Sequence, residues 1–127
     1  MLRDVKLEGT TDDQGDATVT STAVKGFLYA VQWLDGDLAD GVDAVLTVTN
    51  AADGGVAQTL LTLTDANSDA WYRPRYQAHD NTGTGATFDG TNEMYIVQAI
   101  VNGPLSLVIS SGGDTKTGGA IVWVETE

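Results

Sequence analysis

The sequence predicts an all-β fold, a single compact β-sandwich, jelly roll or small barrel of about eight to nine short antiparallel strands spanning residues 1–127. Three observations lead to this prediction. Apolar and polar residues alternate with a period of two in several segments. Thr and Val recur in short runs, and residues typical of turns, many of the 15 glycines among them, separate these runs. A chain of 127 residues has the length of one ordinary domain.

The clearest alternation lies in three segments. In each of them one set of side chains is apolar and the other set is mostly rich in hydroxyl groups, as a half-buried strand requires. The apolar residues of the three segments, each given with the residues that alternate with them, are Ala44, Leu46 and Val48 with Val45, Thr47 and Thr49; Leu61 and Leu63 with Thr62 and Thr64; and Leu105, Leu107 and Ile109 with Ser106 and Ser110.

Two segments, residues 27–34 and 95–101, are apolar on both faces. They are interpreted as central strands, or as strands whose second face meets a partner. Residues 24–34 also fit a helical stripe, but Gly26 and the aromatic and β-branched content favour a strand. The last strand places Ile121 and Trp123 on one face and Val122 and Val124 on the other.

Residues that tolerate a positive φ lie between these runs and predict turns. The predicted turns are Asp35-Gly36, Asn50 to Gly55, Asp89-Gly90, Asn102-Gly103 and Gly112-Gly113. Among them Asn102-Gly103 is the strongest hairpin prediction, because it separates two apolar runs. Residues 64–91 form the longest stretch without alternation, and long loops often carry function.

The net charge of −12, from 18 acidic and 6 basic side chains, disfavours binding to nucleic acids and to anionic membrane surfaces. Cysteine is absent, which excludes disulfides and thiolate metal sites. The first residues, MLRDVKLE, are charged and alternating and contain no apolar signal region. We therefore expect synthesis in the cytoplasm without a signal peptide or membrane anchor.

Patterns for catalysis are weak. His79 is the only histidine, so a histidine-based triad is excluded, and an ordinary loop histidine is favoured over an interface or pH-sensitive contact. The acidic stretches 12–16 and 35–43 contain carboxylates that Ca²⁺ could bind, but neither fits the EF-hand spacing, and plain acidic turns are favoured. No nucleophile elbow, phosphate loop or dinucleotide motif occurs. We predict a non-enzymatic protein with no catalytic residues, metal site or cofactor.

The segment from Trp71 to His79 is the most informative for function, because it combines three aromatic residues, two arginines and the histidine. Trp, Tyr and Arg dominate interface hot spots. The candidate interface residues are Trp71, Tyr72, Arg73, Arg75, Tyr76 and His79. Two alternatives stay open. The aromatic residues could cap the core while the arginines pair with acids, or the aromatic rings could stack on sugars.

Four segments in order, FLYAVQWLDGDLADGVDAVLTVTN, TLLTLTDANSDAWYRPRYQAHDNTG, FDGTN and KTGGAIVWVE, resemble small proteins from tailed-phage structural gene clusters. Such proteins carry an aromatic-Tyr-Pro-Arg-like stretch followed by His-Asp, here residues 71–75 and 79–80, with Arg73 as an insertion. The resemblance implies a capsid decoration, or cement, protein on the virion surface. Its partner would be the major capsid protein, and it would be a homo-oligomer, by preference a trimer.

Other functions stay open beside this one. Within the phage class they are a head-tail connector or a tail protein. Outside it, one alternative is a carbohydrate-binding β-sandwich, which requires exposed aromatic residues, and another is a metal-dependent hydrolase that uses the Asp-rich turns. A strand near either terminus could also add to the sheet of a neighbouring molecule.

Overall fold

The computed structural model describes residues 1–49 and 55–127, and this part of the chain is all-β, as predicted. Its strands run antiparallel. They are β1 (Leu2–Thr10), β2 (Ala17–Leu34), β3 (Asp43–Val48), β4 (Gln58–Leu63), β5 (Ala70–Tyr72), β6 (Tyr76–Gln77), β7 (Tyr95–Val97), β8 (Ile100–Ser110) and β9 (Thr117–Glu125).

The long strand β2 belongs to two halves of the main sheet. Its residues 17–27 pair with β8, and its residues 27–34 pair with β9. The first half has the order β4-β3-β8-β2, and the second half has the order β1-β9-β2-β5. Val31 and Trp33 of the second half and Leu46 and Leu107 of the first half line the same small pocket. The two halves therefore pack face to face, as in a β-sandwich.

Gly26 lies where β2 changes from one half to the other. A Cβ atom at this position would lie 2.2 Å from the carbonyl oxygen of Glu125. The next residue, Phe27, is paired with Ile100 of β8 and with Glu125 of β9. The absence of a side chain at Gly26 thus lets β8 and β9 approach the same stretch of backbone.

The core consists of the inward-facing residues of both halves. In β3 and β8 these are the residues that the alternation predicted, among them Leu46 and Leu107, and in β9 they include Val122 and Val124. Trp33 is the largest fully buried side chain, and its indole N–H donates a hydrogen bond of 3.0 Å to the carbonyl oxygen of Ala66. This bond satisfies the one polar atom of a side chain that otherwise contributes apolar area to the core.

Two predictions about individual strands are confirmed and one is incomplete. Residues 27–34 are strand and not helix, and Ile121 and Trp123 lie on the opposite face from Val122 and Val124. In β4, however, the buried residues are Leu60 and Leu63, whereas Leu61 is only partly buried. A register shift opposite Leu46 and Thr47 breaks the alternation at this point.

The hairpin predicted at Asn102-Gly103 is wrong. Both residues lie within β8, where Gly103 pairs with Val24 of β2. Because β2 is 18 residues long, it offers pairing partners on both sides of this dipeptide, and the strand continues through it. The local turn preference is overridden by the long partner strand.

The single strand predicted at residues 95–101 is also wrong. Tyr95–Val97 forms β7 in a separate two-stranded sheet with β6, and Ile100 begins β8. The side chains of β7 are exposed, so this segment is not a central strand with two buried faces. The other interpretation of such a segment, a strand whose second face meets a partner, stays a prediction.

Turns occur at three of the other predicted positions. Gly36, Gly90 and Gly113 have φ values of 58°, 85° and 86°, in the left-handed region that glycine tolerates best. The turn predicted from Asn50 to Gly55 falls mostly on residues 50–54, which lie outside the described residues.

Residues 76–97 contain the two-stranded sheet of β6 and β7, and we call them the arm. Three backbone hydrogen bonds join Ala78, Ala86 and Met94 in a ring: Ala78 N–H donates to Met94, Ala86 N–H to Ala78, and Met94 N–H to Ala86. The distances are 2.7, 2.7 and 3.2 Å. Together with the isolated bridges His79–Gly85 and Thr87–Glu93, these bonds order part of the long segment without clear alternation.

Candidate interaction surface

The outer face of the second half carries a row of side chains that crosses all four strands. Trp71 of β5 is paired with Gln32 of β2, Gln32 with Ile121 of β9, and Ile121 with Lys6 of β1. Paired residues of antiparallel strands project from the same face, so these four side chains are neighbours. Trp123 lies in the next row, where it is paired with Asp4 and Ala30.

We call this surface the Trp71 face and define it by Gln32, Trp71, Arg73, Ile121 and Trp123. Trp71 is the most exposed ring on it, with 49% of its surface accessible. The guanidinium carbon of Arg73 lies 5.8 Å from the centroid of the Trp71 ring, within the range of a cation–π contact. This contact holds a flat aromatic and cationic group against the sheet.

Arg73 has no carboxylate partner among the described residues. The ion pair between Lys6 and Glu8, with an N···O distance of 3.6 Å, is the only one found among residues 1–49 and 55–127. Both arginines of the predicted interface segment therefore lack a carboxylate partner in this part of the chain. On a protein with a net charge of −12, a cation beside an exposed ring gives this face a distinct electrostatic character.

Tyr72 and Tyr76 lie against the core. Tyr72 is paired with Val31, and both tyrosines pack on the buried cluster. The Tyr76 hydroxyl donates a hydrogen bond of 2.8 Å to the carbonyl oxygen of Thr59, and burial raises the pKa of Tyr76. These two residues of the predicted interface are partly buried, and they attach the segment to the core.

Arg75 joins the segment to β2. Its Nη1 donates hydrogen bonds to the carbonyl oxygens of Pro74, at 2.8 Å, and of Tyr29, at 3.3 Å. Tyr29 lies at the register shift in the pairing of β2 with β9, where the regular ladder of the two strands is interrupted. Arg75 thus has a clear role in orienting the segment that carries Trp71 and Arg73.

His79 is exposed on the arm, where it forms an isolated bridge with Gly85. It is therefore on a different element from Trp71. The adjacent Asp80 closes a turn by accepting hydrogen bonds from the Thr82 hydroxyl at 2.7 Å and from the backbone N–H groups of Thr82 and Thr84. These bonds, that of the Thr82 hydroxyl foremost, lower the pKa of Asp80.

The acidic turns use their carboxylates for local structure. Asp12 accepts hydrogen bonds of 2.9 Å from the backbone N–H groups of both Gln14 and Asp16. One oxygen of Asp35 is enclosed without a hydrogen-bond partner, and burial, followed by the charges of Asp69 and Asp40, raises the pKa of Asp35. In the parts of the chain that the structure describes, no group of three or more acids or histidines is arranged to hold a metal ion.

Several exposed apolar residues were not among the predicted site residues. They lie on β2, the arm and the start of β8, and each has at least 42% of its surface accessible: Phe27, Tyr29, Phe88, Tyr95, Ile96, Val97 and Ile100. The sequence contained a signal for most of them, since they belong to the two segments that are apolar on both faces. Ile121 and Trp123 were assigned to one face of the last strand, but their neighbour Trp71 follows only from the pairing of β5 with β2.

Comparison with models of protein families and with curated proteins gave no match for this chain. Among the described residues, no helix has the length and apolar character that crossing a membrane requires.

Proposed function

We propose that this protein is a non-enzymatic component of a tailed-phage virion, a decoration protein that binds the major capsid protein and stabilises the shell. The observation that carries the proposal is the exposed pair of Trp71 and Arg73 on the Trp71 face. The resemblance of the sequence to small phage structural proteins supports the choice of partner.

The geometry of the Trp71 face suits contact with another protein. Sheet strands hold Trp71, Ile121 and Trp123 in place, so few side-chain rotamers need to be fixed on binding. Trp and Arg are the residue types that most often dominate binding energy in the centre of an interface. Arg73 would direct this face toward an acidic patch, while the acidic remainder of the surface disfavours other orientations.

Co-sedimentation with expanded capsids that lack the protein tests this proposal. The wild-type protein should saturate the shell at a fixed ratio to the major capsid protein. We expect Trp71→Ala and Arg73→Ala each to weaken binding about 30-fold, which corresponds to a hot-spot loss of about 2 kcal/mol. Val108→Ala is the matched control, because Val108 is an apolar side chain with 44% exposure on the first half.

Binding that is unchanged in both variants would refute the assignment of the Trp71 face. Absence of binding to capsids, together with binding to isolated connectors or tails, would refute the capsid location. In that case the Trp71 face would be the surface that contacts the connector or the tail.

A carbohydrate-binding function is the second candidate, and a specific observation favours it. The Trp71 ring is exposed on the Trp71 face, and its cross-strand neighbour Gln32 carries an amide. Exposed aromatic rings flanked by amide donors suit stacking on sugar rings. A glycan array that gives no signal for the wild-type protein at high concentration would eliminate this candidate, whereas signals that Trp71→Ala abolishes would replace the capsid proposal.

A further inference from the structure

Strand β1 has one free edge. It pairs with β9 on one side, and no other strand in the described ranges pairs with it. Met1 and Thr126 exchange two hydrogen bonds, of 2.6 and 2.7 Å, and the Thr11 N–H donates to the Lys116 carbonyl at 2.8 Å. In an antiparallel ladder the hydrogen-bonded positions alternate, so the odd residues of β1 bond to β9. The backbone groups of the even residues point away from the sheet.

The side chains at this free edge alternate in charge. Asp4, Lys6 and Glu8 project from the outer face, because they are paired with Trp123, Ile121 and Gly119 of β9. Charged residues on an edge strand prevent indiscriminate pairing with other strands. A strand with the order negative, positive, negative nevertheless accepts a copy of itself in those registers that bring opposite charges together.

We propose that β1 pairs with β1 of a second copy of this chain, antiparallel and about a twofold axis at Val5. Asp4 of each copy then lies opposite Lys6 of the other, which gives two cross-strand pairs of opposite charge. Both members of each pair are even residues, so their free N–H and C=O groups form the new ladder bonds. The result is a dimer in which the second halves form one continuous sheet.

Other registers are less favourable. An axis at Lys6 places the two Lys6 side chains opposite each other and Asp4 opposite Glu8. An axis at Leu7 pairs Lys6 with Glu8, but Leu7 is already buried within its own chain, with 1% exposure. Val5 is only half-buried, so an axis at Val5 adds apolar burial that the other registers do not provide.

This contact closes after two copies, because a twofold interface uses the same strand on both sides. The expected state is therefore a dimer, and not the trimer that the phage resemblance implies. The inference rests on β1 alone and does not depend on what the Trp71 face binds.

Light scattering on a concentration series tests the pairing. We expect a dimer mass for the wild-type protein at about 100 μM and a monomer mass on sufficient dilution. Lys6→Glu replaces both attractive pairs with repulsive ones and should raise the dimer dissociation constant at least about tenfold. The double variant Asp4→Lys/Lys6→Asp restores opposite charges and should recover the dimer. Lys25→Glu makes the same change in net charge on β2 and serves as the control.

Disulfide trapping tests the register, because the chain contains no cysteine of its own. The two Val5 positions form a non-hydrogen-bonded pair, with Cα atoms about 4.5 Å apart, close enough for a disulfide. Val5→Cys should oxidise to a covalent dimer, whereas Leu7→Cys and the exposed control Thr18→Cys should not.

A monomer at 100 μM, a trimer, or a dimer that Lys6→Glu leaves intact would overturn the proposal. A dimer that is trapped by Leu7→Cys and not by Val5→Cys would overturn the register.

Discussion

The position where β2 changes partner gives a sharp stability prediction, the substitution Gly26→Ala. The new Cβ would lie 2.2 Å from the Glu125 carbonyl oxygen, 3.0 Å from its carbonyl carbon and 3.0 Å from Cγ1 of Val124. Ordinary van der Waals contact begins at about 3.4 Å, so the end of β9 has to move by about an ångström. The backbone at Gly26 has no positive φ, so the effect is steric and not conformational.

The magnitude follows from the contacts that this movement breaks. Displacing Glu125 separates it from Phe27 and disturbs Val124, which is fully buried beside Leu28. Two backbone hydrogen bonds at about 1 kcal/mol each, with partial loss of packing around one valine, give a destabilisation of about 3 kcal/mol. At about 4 °C for each kcal/mol, the melting temperature should fall by roughly 12 °C.

Thermal unfolding followed by circular dichroism measures this loss. Gly90→Ala provides a control, because no atom lies within 4 Å of the added Cβ and only the positive φ of 85° penalises it, by about 1 kcal/mol. A melting temperature of Gly26→Ala within 2 °C of the wild type would refute the claim that β8 and β9 converge on this residue.

Three further predictions concern single side chains. Asp35→Asn should stabilise the protein at pH 7. The pKa of Asp35 is raised in the folded state, so ionisation of this carboxyl lowers the free energy of unfolding once the pH rises above 3.8, the pKa of an unperturbed Asp. The difference in melting temperature between variant and wild type should therefore grow between pH 3 and pH 6, and a constant difference would contradict this. Trp33→Phe leaves the Ala66 carbonyl without its donor and should lower the free energy of unfolding in urea by about 2–3 kcal/mol, unlike Trp71→Phe on the surface. Asp80→Ala should speed amide hydrogen exchange at Thr82 and Thr84 without a comparable change in the core, and unchanged exchange there would contradict a structural role for this turn.

The strands could be predicted wherever one face is buried and the other is exposed to solvent, because apolar and polar residues then alternate with a period of two. This condition holds in β3 and in the part of β8 from Leu105 to Ile109. It fails in β4, where a register shift buries Leu60, and at Asn102-Gly103, where the partner strand is long enough to override a turn. Both failures depend on pairing with another strand, β3 for β4 and the distant β2 for Asn102-Gly103, and the pattern within the segment itself does not reveal such pairing.

In the predicted interface segment, too, part of the outcome could be predicted from the sequence and part could not. Its composition identified Trp71 and Arg73, which the fold leaves exposed on one face. Composition could not separate them from Tyr72 and Tyr76, because the direction of Tyr72 depends on the register of β5 against β2 and that of Tyr76 on the pairing of β6 with β7. Arg75 illustrates the limit further, since its carbonyl partner on Tyr29 arises from a register shift 46 residues earlier.

A dimer that forms through β1 carries two Trp71 faces, and the strand order gives the distance between them. Pairing through β1 gives the strand order β5-β2-β9-β1-β1-β9-β2-β5, with one Trp71 face near each end of a continuous, twisted sheet. Seven strand spacings of about 4.8 Å place the two Trp71 rings about 34 Å apart. A dimer with this geometry can engage two sites on a repetitive surface, and the second contact is then intramolecular.

Val5→Cys separates the two contributions, because the same protein can be compared as an oxidised dimer and as a reduced monomer. At protein concentrations below the dimer dissociation constant, we expect the oxidised form to bind capsids about a hundredfold more tightly than the reduced form. Adding Trp71→Ala should weaken binding by about 30-fold in the reduced form and by more in the oxidised form, since bivalence multiplies a contact and does not replace it. Equal binding of the oxidised and reduced forms would show that the two faces do not reach two sites at this spacing. The Trp71 face would then act singly, and the β1 contact would serve the stability of the protein rather than its attachment.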